Sequence, residues 1–176
     1  EVAHQWWGAA VEFEDYRDQW ISEGFAQYAS ALFMLRGMER EDEFLDILDA
    51  WQLDVLGEVN VGQGIGKHYG FQPGAMQRSD GHESGPLAVG YRLRSSETPY
   101  DYRLLVYEKG AFVLHMLRMM LIDLHTGDDE PFRRLMRGFF NDHLLEAATT
   151  AAFEAAVTEA FGKPMDWFFE QWIHGV

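Results

Sequence analysis

The chain opens on Glu1-Val2-Ala3-His4, and a Glu and a His three apart share one face of a helix. Imidazole nitrogens and carboxylate oxygens are both zinc ligands, and a carboxylate beside a metal can also take a proton from an attacking water. The helical motif H-E-x-x-H joins those uses: two His at i and i+4 bind the metal and the Glu between them is the base. Glu1 and His4 match its second half. Taken alone, E-x-x-H reads as an ordinary surface helix, and only the surrounding residues lend it weight. Eighteen residues separate His4 from Glu23, which stands in Trp20-Ile21-Ser22-Glu23-Gly24-Phe25-Ala26. A second helix beginning near Asp18 and packed antiparallel to the first would bring the Glu23 carboxylate back to His4. Two His and one Glu with an open fourth position form the ligand set of a hydrolytic zinc site.

The elements that must position these groups are helices. Trp20, Phe25, Tyr28, Ala29, Leu32 and Leu35 recur at spacings of three and four up to a stop at Gly37, and Phe44, Leu45, Leu48, Trp51 and Val55 repeat the pattern over 41–55. Residues 56–98 are glycine-rich and read as a long excursion. Thr98, Pro99 and Asp101 then make a capping signal for an apolar central helix from Leu104 to Leu124, ending before Gly127. Asp128-Asp129-Glu130-Pro131 opens a helix through about Asn141. An Ala-rich helix over 150–161 is stopped by Gly162, and Pro164 starts a last one from Met165 to His174. No segment shows strand alternation and no repeat is visible. The expected fold is all-α, a single helical domain over 1–176.

Several of these residues together resemble a known family. Glu1-Val2-Ala3-His4-Gln5-Trp6-Trp7-Gly8, the eighteen-residue gap and Trp20-Ile21-Ser22-Glu23-Gly24-Phe25-Ala26 resemble the aminopeptidase N family of zinc metallopeptidases, the gluzincins that include leukotriene hydrolase. Val106-Tyr107-Glu108-Lys109-Gly110-Ala111 is similar to the family's Y-x-K-G helix, and Trp167-Phe168-Phe169-Glu170-Gln171-Trp172 to its end-of-domain helix. The resemblance implies His4 and Glu23 as zinc ligands and Glu1 as the general base that passes its proton to the leaving amine. It implies Tyr107 as the phenolic donor to the oxyanion, and a peptide with a free N-terminus as substrate. Lys109 and Gly110 read as helix packing and capping. The implied fold is the helical subdomain of a thermolysin-like catalytic domain.

Two departures from the family pattern qualify these expectations. The leading His of the motif would lie one position before Glu1, so the chain reads as a fragment of a catalytic domain truncated at both ends, with the rest of that domain upstream. With two protein ligands, zinc should bind this piece weakly or not at all, and the piece alone should be inactive. The family's G-x-M-E-N strand, which grips the substrate amine, would also lie upstream; Gly74-Ala75-Met76-Gln77-Arg78 is a downstream look-alike with Gln and Arg in the wrong places.

Other tempting groups have plainer readings. Gly62-Gln63-Gly64-Ile65-Gly66-Lys67 lacks the first glycine and the Ser or Thr of a phosphate loop, and His82-Glu83 runs into Ser84-Gly85-Pro86. His115 reads as a core histidine, His143 and Glu146 as a pair with nothing converging on them, and Met116, Met119 and Met120 as core filler. Trp6, Trp7 and Trp20 suit either a substrate wall or helix packing.

Composition limits the alternatives. In 176 residues, 47% hydrophobic and 15% aromatic content exclude a disordered linker, and the net charge of −15 argues against a nucleic-acid partner. No apolar run approaches the ~20 residues of a membrane span. Without cysteine there is no thiolate nucleophile or Cys-type zinc site. The expected function is zinc-dependent aminopeptidase chemistry. Its rivals are hydrolysis of a non-peptide substrate at the same zinc, and a non-catalytic helical interaction domain.

Overall fold

A computed structural model of the chain describes residues 1–56, 86–88 and 102–175. The Thr98–Asp101 capping signal, nearly all of the 56–98 excursion, the Gly62–Lys67 and Gly74–Arg78 stretches and His82-Glu83 lie outside the described residues. What is described is mostly helical, as the apolar periodicity predicts. No described helix is long and apolar enough to cross a membrane.

The spine is α1 (Trp20–Arg36), which buries Trp20, Ile21, Phe25 and Tyr28 along one face. The helix α2 (Glu41–Leu56) starts with three acidic residues, a favourable placement against the N-terminal end of the helix dipole, and buries Phe44, Leu48 and Trp51. The central helix is not uniform. A π-helical turn, Leu104–Lys109, runs directly into α3 (Gly110–Leu121), and the Gly110 N–H reaches back five residues to the Leu105 carbonyl. The helix ends three residues before the expected Leu124, where Ile122 turns extended. Then come α4 (Glu130–Asp142), with Pro131 in its first turn, and α5 (Thr150–Phe161). The Thr149 hydroxyl caps α5 by accepting from the Ala152 N–H, and Gly162 closes it at φ +63°, a left-handed conformation natural to glycine. The chain finishes in α6 (Asp166–Phe169) and a second π-helical turn, Glu170–His174.

The structure adds one feature the pattern does not predict. Strand β1 (Glu12–Phe13) pairs in parallel with β2 (Ala147–Ala148), a ladder of two residues per strand, too short for any alternation to register. The methionines also divide: Met116 packs against the core, whereas Met119 and Met120 are exposed.

Two contacts determine how α1 sits. Gly24 of α1 crosses Gly110 of the central helix so closely that a Cβ on Gly24 would lie 3.0 Å from the Gly110 backbone. Gly110, expected to help cap a helix, therefore serves as a crossing point in mid-helix. At the start of α1 the buried Asp18 carboxylate accepts from both the N–H and the hydroxyl of Thr150, each at 2.7 Å, and the Trp20 indole N–H donates to that hydroxyl at 3.0 Å. Between these contacts Phe25 gathers edge-on aromatic neighbours, Trp7 and Phe153 at 4.9 Å and Trp20 at 5.4 Å. Trp7 and Trp20 are thus core residues that pack elements together, and only Trp6 of the three tryptophans faces solvent.

Candidate active site

His4 lies on a single 3₁₀ turn, Val2–Gln5, with Glu1 at its N-cap. Positions i and i+3 eclipse in such a turn, so Glu1 and His4 rise from the same side. The chain then reverses at Gly8, whose φ of +107° is closed to most side chains and whose Cβ would collide with the Ser22 hydroxyl. That reversal brings the Trp7 carbonyl to 2.9 Å from His4 Nδ1. A carbonyl only accepts, so Nδ1 carries a proton and donates to it, which leaves Nε2 to face the site. This backbone contact orients the ring as metal-ligating histidines are usually oriented.

Glu23, on the first turn of α1, meets that nitrogen. Its Oε2 lies 3.2 Å from His4 Nε2, is buried, and accepts no hydrogen bond. A buried carboxylate oxygen without a hydrogen-bond donor, set against an imidazole nitrogen, is a place that a cation fits. The spacing agrees: ligand bonds of about 2.0–2.2 Å at the tetrahedral angle put neighbouring donors about 3.4 Å apart. These two residues therefore fit two corners of a zinc site. Among the described residues no group of three ligands converges.

Tyr107 arrives from the central helix. It sits on the π-helical turn one helical turn before Gly110, so the Gly24–Gly110 crossing sets it against Glu23, and its hydroxyl hydrogen-bonds that carboxylate. Burial, and then the negative charge of Glu23, raise the Tyr107 phenol far above its ordinary range. The structure thus brings His4, Glu23 and Tyr107 together from three elements. It leaves the exposed Glu1 carboxylate without a hydrogen bond or ion pair to any of them.

Several supporting groups were not readable from motifs. Tyr102 packs edge-on against Tyr107, ring centres 6.0 Å apart, and receives a hydrogen bond from the Gln19 amide. Behind Tyr107, Glu108 is 1% exposed, hydrogen-bonds Asp54 of α2 and lies 3.3 Å from Arg103 Nε. Burial, then the Asp54 charge, push the Glu108 carboxyl up to about 8, with Arg103 opposing them. The only sequence signal for these pairs would have been their spacing of five, which no α-helical pattern singles out.

His115 and His143 behave as structure. His115 Nδ1 lies 3.2 Å from the Tyr28 hydroxyl, and burial, then the Arg118 charge, lower it to about 4. His143 accounts for itself locally, its Nδ1 3.0 Å from the Phe139 carbonyl and its ring on Phe139.

The sequence matches the Peptidase family M1 domain over residues 1–172. It is similar to aminopeptidase N of Lactococcus lactis subsp. lactis, 27% identical over 175 residues that cover 98% of this chain and 17% of that protein. It is similar also to aminopeptidase A of Gloydius brevicauda, 26% identical over 172 residues, 98% of this chain and 15% of that protein. The chain thus spans under a fifth of the length of these relatives. A crystal structure of an M1 zinc metallopeptidase from Deinococcus radiodurans shares the fold, with a TM-score of 0.65 at 22% identity, over 98% of this chain and 31% of that one.

Proposed function

Because the chain belongs to peptidase family M1, a family whose chemistry implies zinc in the intact protein, we propose that it carries part of the catalytic centre of a zinc aminopeptidase, which removes N-terminal residues from peptides. One observation carries this reading: His4 Nε2 and the buried Glu23 Oε2, which has no hydrogen-bond donor, face each other at 3.2 Å, with the Tyr107 hydroxyl on the same carboxylate. His4 and Glu23 would hold the metal, with a third ligand supplied by a His immediately before Glu1 in the intact protein. The 176 residues alone would bind it weakly and turn over no substrate. When bound, zinc would polarise the scissile carbonyl and acidify the attacking water.

The chain's own residues do the rest. The Glu1 carboxylate takes a proton from the attacking water and returns it to the leaving amine. The Tyr107 phenol, held protonated by burial and by Glu23, donates to the carbonyl oxygen as that oxygen gains charge. The Trp7 carbonyl keeps the His4 ring in its ligating tautomer. The reading is tested with the full-length protein and an aminoacyl-arylamide. Hydrolysis should be abolished by a chelator, return with added zinc, and be lost in Glu1→Gln. Full activity under chelation, or in Glu1→Gln, would sink it.

A further inference from the structure

Tyr107 sits on a stretch of the central helix that departs from α geometry. In an α-helix each residue turns about 100°, so residues five apart point about 140° away from each other. The i→i+5 bonding of a π turn takes in one more residue and brings positions five apart onto one face. Two such pairs meet across this turn. Tyr102 packs on Tyr107 with ring centres 6.0 Å apart and planes at 67°. Arg103 Nε lies 3.3 Å from Glu108 Oε1, and Glu108 is tied in turn to Asp54 of α2. Neither contact survives if the turn tightens to α. Such a tightening would also swing Tyr107, relative to the fixed Gly24–Gly110 crossing, by roughly the 100° of one residue.

From this geometry we infer that Arg103 and Glu108 are positioning residues: their bridge across five residues holds the π-helical turn that keeps the Tyr107 hydroxyl on the Glu23 side, and Asp54 anchors the bridge to α2. Neither residue need touch substrate. The inference rests on Tyr107 as the oxyanion donor of the proposed aminopeptidase.

The test uses the full-length, zinc-loaded protein with an aminoacyl-arylamide. Arg103→Met should lower kcat by about 10- to 100-fold, the scale of loss when a reacting group is displaced by about an ångström. KM should stay within about two-fold and zinc content should be unchanged. In a Tyr107→Phe background the same substitution should cost nothing further, because no hydroxyl remains to be positioned. Arg103→Lys, which keeps the cation, should recover most of the loss. Unchanged kcat in Arg103→Met overturns the inference, and so do losses that multiply in the double variant. If Arg103→Met does not fold, Glu108→Leu is read in the same two backgrounds by the same criteria. Should Tyr107→Phe itself leave turnover intact, the catalytic reading of Tyr107 fails independently. The NMR resonance of isotope-labelled tyrosine Cζ, assigned by its loss in Tyr107→Phe, then decides the positioning role: a shift in Arg103→Met supports it and an unmoved resonance overturns it.

Discussion

Tyr107 can serve as a donor only while it keeps its proton, and its surroundings ensure that it does. Burial disfavours the phenolate, the Glu23 carboxylate disfavours it further, and the proton stays on across the physiological range. Tyr107→Phe in the full-length protein should therefore cut kcat by about 10² to 10³, as loss of one oxyanion donor does, while zinc content and KM hold. Steady-state kinetics with metal analysis checks this, and unchanged turnover would remove the role. Glu108 makes a second residue-level statement. Its folded value is pushed up to about 8 from an ordinary 4.5, by burial first and Asp54 second, against the opposing charge of Arg103. The folded chain therefore holds a proton that the unfolded chain releases near 4.5, so the stabilising term is fully present below that pH. It is lost as pH rises towards 8 and is flat above, with a slope of at most about 1.4 kcal/mol per pH unit. Urea unfolding of the intact protein from pH 5 to 9 should show this decline, and Glu108→Gln, which mimics the protonated acid, should flatten it. An identical pH slope in Glu108→Gln would rule out Glu108 as its source.

At the scale of elements, the site depends on two helices approaching at backbone distance. Gly24 and Gly110 allow it, and the groups they align, Glu23 and Tyr107, are one and three residues away in sequence. Gly24→Ala must push its Cβ into the Gly110 backbone, a rigid neighbour. It should cost about 1–3 kcal/mol of stability and also lower kcat by separating Glu23 from Tyr107. Thermal melts with kinetics on one preparation test both effects; a variant that melts and turns over normally would show the crossing to be slack. The same elements show what was legible in the sequence and why. The span of α5 could be read because the Ala-rich run and Gly162 state its body and stop in local chemistry, and the structure adds the Thr149 cap at its start. That Glu23 comes back to His4 could be read because their spacing belongs to a motif. The π-helical turn could not, since its apolar residues satisfy an α period equally well and the turn is set by contacts with α1 and α2. Arg103–Glu108 escaped for the same reason. The β1–β2 ladder joins residues more than 130 positions apart, and nothing local to either strand announces it.

At the scale of the whole molecule, the candidate site sets stability against function. A buried carboxylate oxygen without a hydrogen-bond donor costs folding free energy on the order of 1–3 kcal/mol. A bound cation would reverse that cost, and at about 1,000-fold excess over its dissociation constant it adds about 4 kcal/mol. Glu23→Gln separates the two effects. The Gln amide N–H can donate to His4 Nε2, the amide oxygen can still accept from Tyr107, and the buried charge is gone. The metal-free full-length variant should therefore melt no lower than the metal-free parent. Zinc, which should raise the parent's melting temperature by several degrees, should leave the variant's nearly unmoved, because a neutral amide is a poor zinc ligand beside a carboxylate. Scanning calorimetry of both proteins with chelator and with zinc reads the four states. If the metal-free variant melts well below the metal-free parent, Glu23 is a structural residue whose partners satisfy it without a metal. If zinc stabilises both equally, the metal lies elsewhere in the protein. The expected pattern, a variant unharmed without metal and unresponsive to it, is what a residue retained for ligation rather than for folding should give.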